Sequence, residues 1–166
     1  MPGFGSFDYV VPFSVSGALA AGVVAFPVFI VPEDANVLFL VAAVETAPAT
    51  DAIILNLQDT PEGTGAAAYN LWTTAANQPT IAAGATRSYA FTTRQVQQNS
   101  AYALNDPEPG GTVTLAPEMT ITTMNPGAGP DSPLVRAGDQ LALDIVQVGV
   151  TTTGDNLSVW VYLEKA

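Results

Sequence analysis

The sequence predicts an all-β fold, an antiparallel β-sandwich of jelly-roll type with about eight or more strands. Three observations lead there. Short runs rich in Val, Ile, Phe and Thr recur roughly every 8–12 residues, divided by turns that carry Pro or Gly. Several runs alternate: Ile53, Leu55 and Leu57 share one face, and so do Leu157, Val159, Val161 and Leu163. Helices find no room, because the Ala-rich pieces at 65–68 and 82–85 are short and interrupted by Gly.

Taken in order, residues 9–15 form a first strand, with Pro12 marking an edge or bulge. Residues 22–31 form a second, and Pro27 argues for an edge or a bend. A turn at 32–36 leads to residues 37–45, apolar on both faces and so expected as a central strand covered on both sides. After a loop at 47–51, residues 52–58 form an alternating strand, and 59–65 read as a loop containing Pro61 and Gly63. Short strands follow at 69–73 and 79–82, then a longer one at 86–93. The stretch 94–134 is looser, broken by Asp106-Pro107-Glu108-Pro109-Gly110-Gly111 and by Asn125-Pro126-Gly127. It holds two short β-like runs, 112–116 and 119–124. In the next strand Leu141, Leu143 and Ile145 alternate, and then the parity slips to Val146 and Val148, which predicts a β-bulge. The last strand is 157–163, with Ser158, Trp160 and Tyr162 on its second face.

The organisation that follows is an N-terminal arm, 1–9, and a single β-sandwich domain, 10–166, with a loop-rich insertion at 94–134. A chain of 166 residues fits one domain. It is long enough to bury about 69% of its unfolded surface, a core that needs no staples.

Composition excludes many chemistries. The chain has no Cys, hence no disulfide framework and no thiolate nucleophile or sulfur-ligated metal. It has no His, the commonest general base and transition-metal ligand. Four Lys and Arg stand against 15 Asp and Glu, a formal net charge of −11. So few cations cannot neutralise phosphates, and neither nucleic acid nor an anionic membrane is expected as a partner. The uncharged stretch 17–31 is too short for a membrane span, and the first basic residue is Arg87, so no secretory signal is expected.

Catalytic and metal constellations fare no better. Without His, only Lys165 stands as base for a Ser or Thr nucleophile, and it lies at the solvated end of the chain. The acids offer many carboxylate pairs and hence no specific one for glycoside hydrolysis. Most fall in predicted loops (Glu33, Asp34, Asp59, Glu62, Asp106, Glu108, Asp131), where acids solvate turns. No Asp-x-Asp-x-Asp-Gly calcium loop occurs; Asp139, Asp144 and Asp155 would approach one another only if adjacent strands pair. No enzyme activity and no cofactor are expected. Trp160 with Tyr162, and Trp72 with Tyr69, are aromatic pairs of the kind that pack sheets. Phe4, Phe7 and Tyr9 lie in the Gly-punctuated arm, and large apolar side chains there call for a docking surface, on this domain or on a partner.

Several phrases together resemble a virion domain of tailed bacteriophages. They are Val15-Ser16-Gly17-Ala18-Leu19 leading to Phe29-Ile30-Val31-Pro32; Glu45-Thr46-Ala47-Pro48 leading to Ile53-Ile54-Leu55-Asn56-Leu57; and Gln78-Pro79-Thr80-Ile81-Ala82-Ala83-Gly84. A fourth is Ala137-Gly138-Asp139-Gln140-Leu141-Ala142-Leu143-Asp144, followed by Gln147-Val148-Gly149 and Gly154-Asp155-Asn156-Leu157. In this the chain looks like the jelly-roll domain of phage head decoration (cement) proteins, over about residues 10–163. The chain departs from that pattern at 94–134, which the family crosses with a shorter connection. The resemblance implies a structural virion protein on the outer surface of the capsid that bridges major capsid subunits. It implies a homo-oligomer, a trimer ahead of a dimer, and no catalytic residues. Partner contacts are then expected from the arm, at Phe4, Phe7 and Tyr9, and from the insertion, at Val96, Tyr102, Met119 and Met124. The alternative is a receptor- or glycan-binding head of a phage tail or head fibre. Such a head would follow a shaft or coiled coil, and the short stretch before the first strand favours decoration.

Overall fold

The computed structural model describes residues 7–63, 65–73, 75, 78–91, 111–115 and 133–166; at Phe91 and 111–115 the backbone alone is considered. Eleven strands are found there and no helix. They are β1 (Tyr9–Ala18), β2 (Gly22–Ile30), β3 (Ala35–Thr46), β4 (Ile53–Thr60), β5 (Tyr69–Asn70), β6 (Thr80–Ile81), β7 (Arg87–Phe91), β8 (Gly111–Leu115), β9 (Leu134–Val135), β10 (Gln140–Gln147) and β11 (Asp155–Lys165). The all-β sandwich predicted from alternation is the observed architecture.

Two sheets pack face to face. The first runs β1-β11-β3-β7-β8, with β9 beside the start of β3; the second runs β2-β10-β4-β5, with β6 beside the start of β4. Every pairing is antiparallel except β7 with β8, which is parallel. The edge strands β1 and β2 lie against each other on one side of the sandwich, and β6 and β7 meet on the other.

Alternation places the core between the sheets. Val11 and Phe13 from β1, Val37, Leu40, Ala42 and Val44 from β3, and Leu157, Val159, Val161 and Leu163 from β11 are buried. They face Ile53, Leu55 and Leu57 of β4 and Leu141, Leu143 and Ile145 of β10. Trp72, Leu71 and Ile81 close the β4 side. The parity break in β10 is a register shift between Ile145 and Gln147, where the sequence predicts a bulge. A second bulge lies in β3: Tyr162 faces Phe39 and Leu163 faces Val37, so Leu38 is the extra residue. Leu38 and Phe39 are buried and make a small second cluster with Val41, Tyr89 and Tyr162. β3 is thus covered on both faces, as its unbroken apolar run predicts.

Two readings need correction. The predicted loop at 59–65 begins too early, because Asp59 and Thr60 complete β4. The acids also do not all sit at solvated tips: Asp59, Asp139 and Asp144 are buried, Asp59 fully. A carboxylate in an apolar row costs free energy unless it is protonated or hydrogen-bonded, and this one is both hydrogen-bonded and raised in pKa.

Candidate assembly surface and a buried carboxyl cluster

The N-terminal approach to β1 is fastened before the strand begins. The amide of Asp8 donates to the Leu163 carbonyl at 2.8 Å, and the Asp8 carboxylate accepts from the Lys165 amide at 2.9 Å. From that point alternation sends neighbouring side chains to opposite faces. Tyr9 turns toward the core, with Lys165 Nζ 5.9 Å above its ring centroid. Phe7 stays outside. Its ring meets Tyr162 edge-on, centroids 4.9 Å apart at 82°, and Tyr162 stacks on Phe39 at 4.1 Å and 13°. The edge-to-face contact is one the ring quadrupole favours. Register continues this outer face as two cross-strand rows, Val10–Tyr162–Phe39 and Pro12–Trp160–Val41–Tyr89. Phe7, Val10 and Trp160 remain exposed on it.

A second apolar exposure lies round the edge, on β2. Between Ala142 and Asp144 of β10 the register jumps from Val28 to Val23, so residues 24–27 bulge out. Phe26 rides on that bulge and is 81% exposed; Ile30 is 55% exposed and Val23 45%. Val146 of β10, at its own bulge, is exposed as well. Eight large apolar side chains are exposed among the described residues, and all but Val150 lie on β1, β2, or the strand next to each, β11 and β10, or at the start of the chain. No residue from Tyr9 to Pro32 is charged. Edge strands are ordinarily protected by charge, bulges or Pro; here Pro27 and the bulge are present and charge is not.

At one end of the sandwich the polar groups are gathered. Asp59 continues the inward row of β4, where Tyr69, its partner across β5, donates to Asp59 Oδ2 at 2.7 Å. Asp139 accepts from the Glu62 amide at 3.0 Å and the Arg136 amide at 2.8 Å, pinning the turn into β10. Burial pushes the Asp59 carboxyl up to about 6; the Tyr69 hydrogen bond opposes this, and the Asp139 charge adds to it. The Tyr69 hydroxyl is itself pushed up, by burial and by its bond to Asp59. Arg136, half-buried, pairs with Asp34 at 3.6 Å and Lys165 with Glu33 at 3.1 Å, so the β2–β3 turn carries the acids for both bases. The cluster contains two carboxyls rather than a ligand set, and among the described residues no three acids are placed to hold a metal.

Among the residues expected to bind a partner, Phe7 lies on the outer face and Tyr9 points inward. Phe4, Val96, Tyr102, Met119 and Met124 lie outside the described residues. Sequence reasoning missed Val23, Phe26 and Ile30. The signal was available: an uncharged stretch containing a strand-interior Pro marks an apolar edge. Comparisons with protein families, curated proteins and solved structures match nothing to this chain.

Proposed function

We propose that this protein is a structural component of a tailed-phage virion that decorates the outer surface of the capsid and bridges major capsid subunits. It works as a homo-oligomer and without catalysis. The phage context rests on the resemblance carried by the four phrases described above. The assembly role rests on one observation: among the described residues the exposed large apolar side chains gather on β1, β2 and the strands beside them, along a chain stretch, residues 9–32, that carries no charge. Apolar area of that kind marks a protein–protein contact, and many copies on a lattice multiply a modest contact through avidity.

We further propose that the sandwich is a jelly roll. Strand order supports this. First pairs with last, β1 with β11; then β2 with β10, β3 with β7 and β9, and β4 with β5 and β6. Such nested pairing is that of one long antiparallel hairpin rolled into two sheets.

The test adds purified full-length protein to expanded capsids stripped of decoration. Binding, with a rise in capsid melting temperature, is the expected result. Failure to bind capsids together with adsorption to host cells overturns decoration and supports the receptor-binding head.

A further inference from the structure

We propose that Asp59 and Asp139 share one proton, and that this proton latches the Arg136–Asp139 turn to the loop after β4. Register brings the two carboxyls together. Asp59 pairs with Leu141 of β10, and Asp139, two positions before Leu141, falls on the same inward face. Diagonal neighbours of this kind are within side-chain reach, and the two carboxyls are in hydrogen-bonding contact. Both residues are buried.

Hydrogen-bond accounting places the proton. Asp59 Oδ2 accepts from the Tyr69 hydroxyl at 2.7 Å, while Asp59 Oδ1 is buried and has no donor among the described residues. Asp139 uses Oδ1 for the Glu62 amide and Oδ2 for the Arg136 amide. A carboxyl that carries a proton becomes a donor, so a protonated Asp59 Oδ1 gains a partner in Asp139 and is no longer orphaned. Without the proton, two carboxylates face each other in a buried site. The neighbouring groups do not balance the second charge. Arg136 is paired with Asp34, and the Glu62 carboxyl, set against Gly138, adds a like charge. Asp144, on the opposite face of β10, accepts from Asn70. The rise of the Asp59 carboxyl to about 6 agrees with a shared proton.

The turn is where the repulsion is relieved. Asp59 is fixed within β4, whereas Asp139 ends a turn tied to three other segments. Its carboxylate holds the Glu62 amide, the backbones of Gly138 and Asp139 bond to Val31, and the Ala137 amide donates to Asp34. Loss of the proton drives Asp139 from Asp59 and loosens its bonds to the Glu62 and Arg136 amides first.

Carbon-13 NMR of the aspartate carboxyls and amide hydrogen exchange, both on the full chain from about pH 4 to 8, test this. The Asp59 and Asp139 resonances are expected to move together in one step near pH 6. Protection of the Glu62 and Arg136 amides is expected to fall about tenfold between about pH 5 and 7.5. The Leu19 and Ala49 amides, bonded to Gly154 and Thr152 at the opposite end of the sandwich, are expected to keep theirs. Asp59→Asn, whose side-chain amide donates to Asp139 at every pH, is expected to abolish the fall. Should that variant fold poorly, the wild-type readings decide alone. An Asp139 resonance that stays still while Asp59 titrates overturns the shared proton. Equal loss of protection at both ends, or a fall that persists in Asp59→Asn, overturns the latch and leaves the proton a matter of global stability.

Discussion

Asp59 shows how a single side chain can set a pH dependence. Its carboxyl is fully buried and its pKa is raised from 3.8 to about 6. The folded protein therefore binds more protons than the unfolded chain between about pH 4 and 6, and stability falls as pH rises through that window. Asp59→Asn keeps an acceptor for Tyr69 and removes the titration. Urea denaturation should find the variant close to wild type at pH 4 and more stable above pH 7, by up to about 3 kcal/mol. A different constraint acts at Gly149, where an added Cβ would fall 2.1 Å from the Thr152 carbonyl oxygen and 3.1 Å from the Ala49 amide. Backbone cannot yield as a flexible side chain does. Gly149→Ala should cost about 1–3 kcal/mol, read as a lowered thermal midpoint.

Strands behave according to which face and which neighbours they have. β11 is hydrogen-bonded on both sides, to β1 and β3, and its inward row is buried throughout. Val161→Ala should cost about 2 kcal/mol, while Val10→Ala, on the outer face of the edge strand β1, should change the unfolding free energy read by urea denaturation by less than about 0.5 kcal/mol. β11 was legible because Leu157 to Leu163 alternate without interruption, and β10 because its parity slip has one cause. Asp59 was not legible as strand, since an acid beside Pro61 reads as turn. Its burial is offset by the Tyr69 hydroxyl, brought opposite by β5, and by a pKa raised to about 6. The β2 edge was half legible. Pro27 marked it, but the four residues that bulge opposite Leu143 of β10 follow from pairing, which one strand does not disclose.

For the whole molecule, charge and assembly oppose each other. Each copy carries −11, and association brings those charges within a few tens of ångströms. Raising salt from about 0.02 to 0.5 M shortens the screening length from about 20 Å to about 4 Å and leaves an uncharged apolar contact intact. Self-association should thus strengthen with salt, measured by sedimentation; weakening would point to ion pairs across the contact.

The pairing of first strand with last also bears on synthesis. Tyr9 pairs with Leu163, 154 positions later. At roughly 5–20 residues per second on the ribosome, β1 waits roughly 8–30 s for its hydrogen-bonding neighbour. The second sheet lacks its interior strand β10 until Gln147 is made, and the first lacks β11 until Lys165. Throughout that interval an uncharged apolar strand is exposed to other nascent chains on the same message. On this topology, aggregation between nascent chains competes with folding until the last strand emerges.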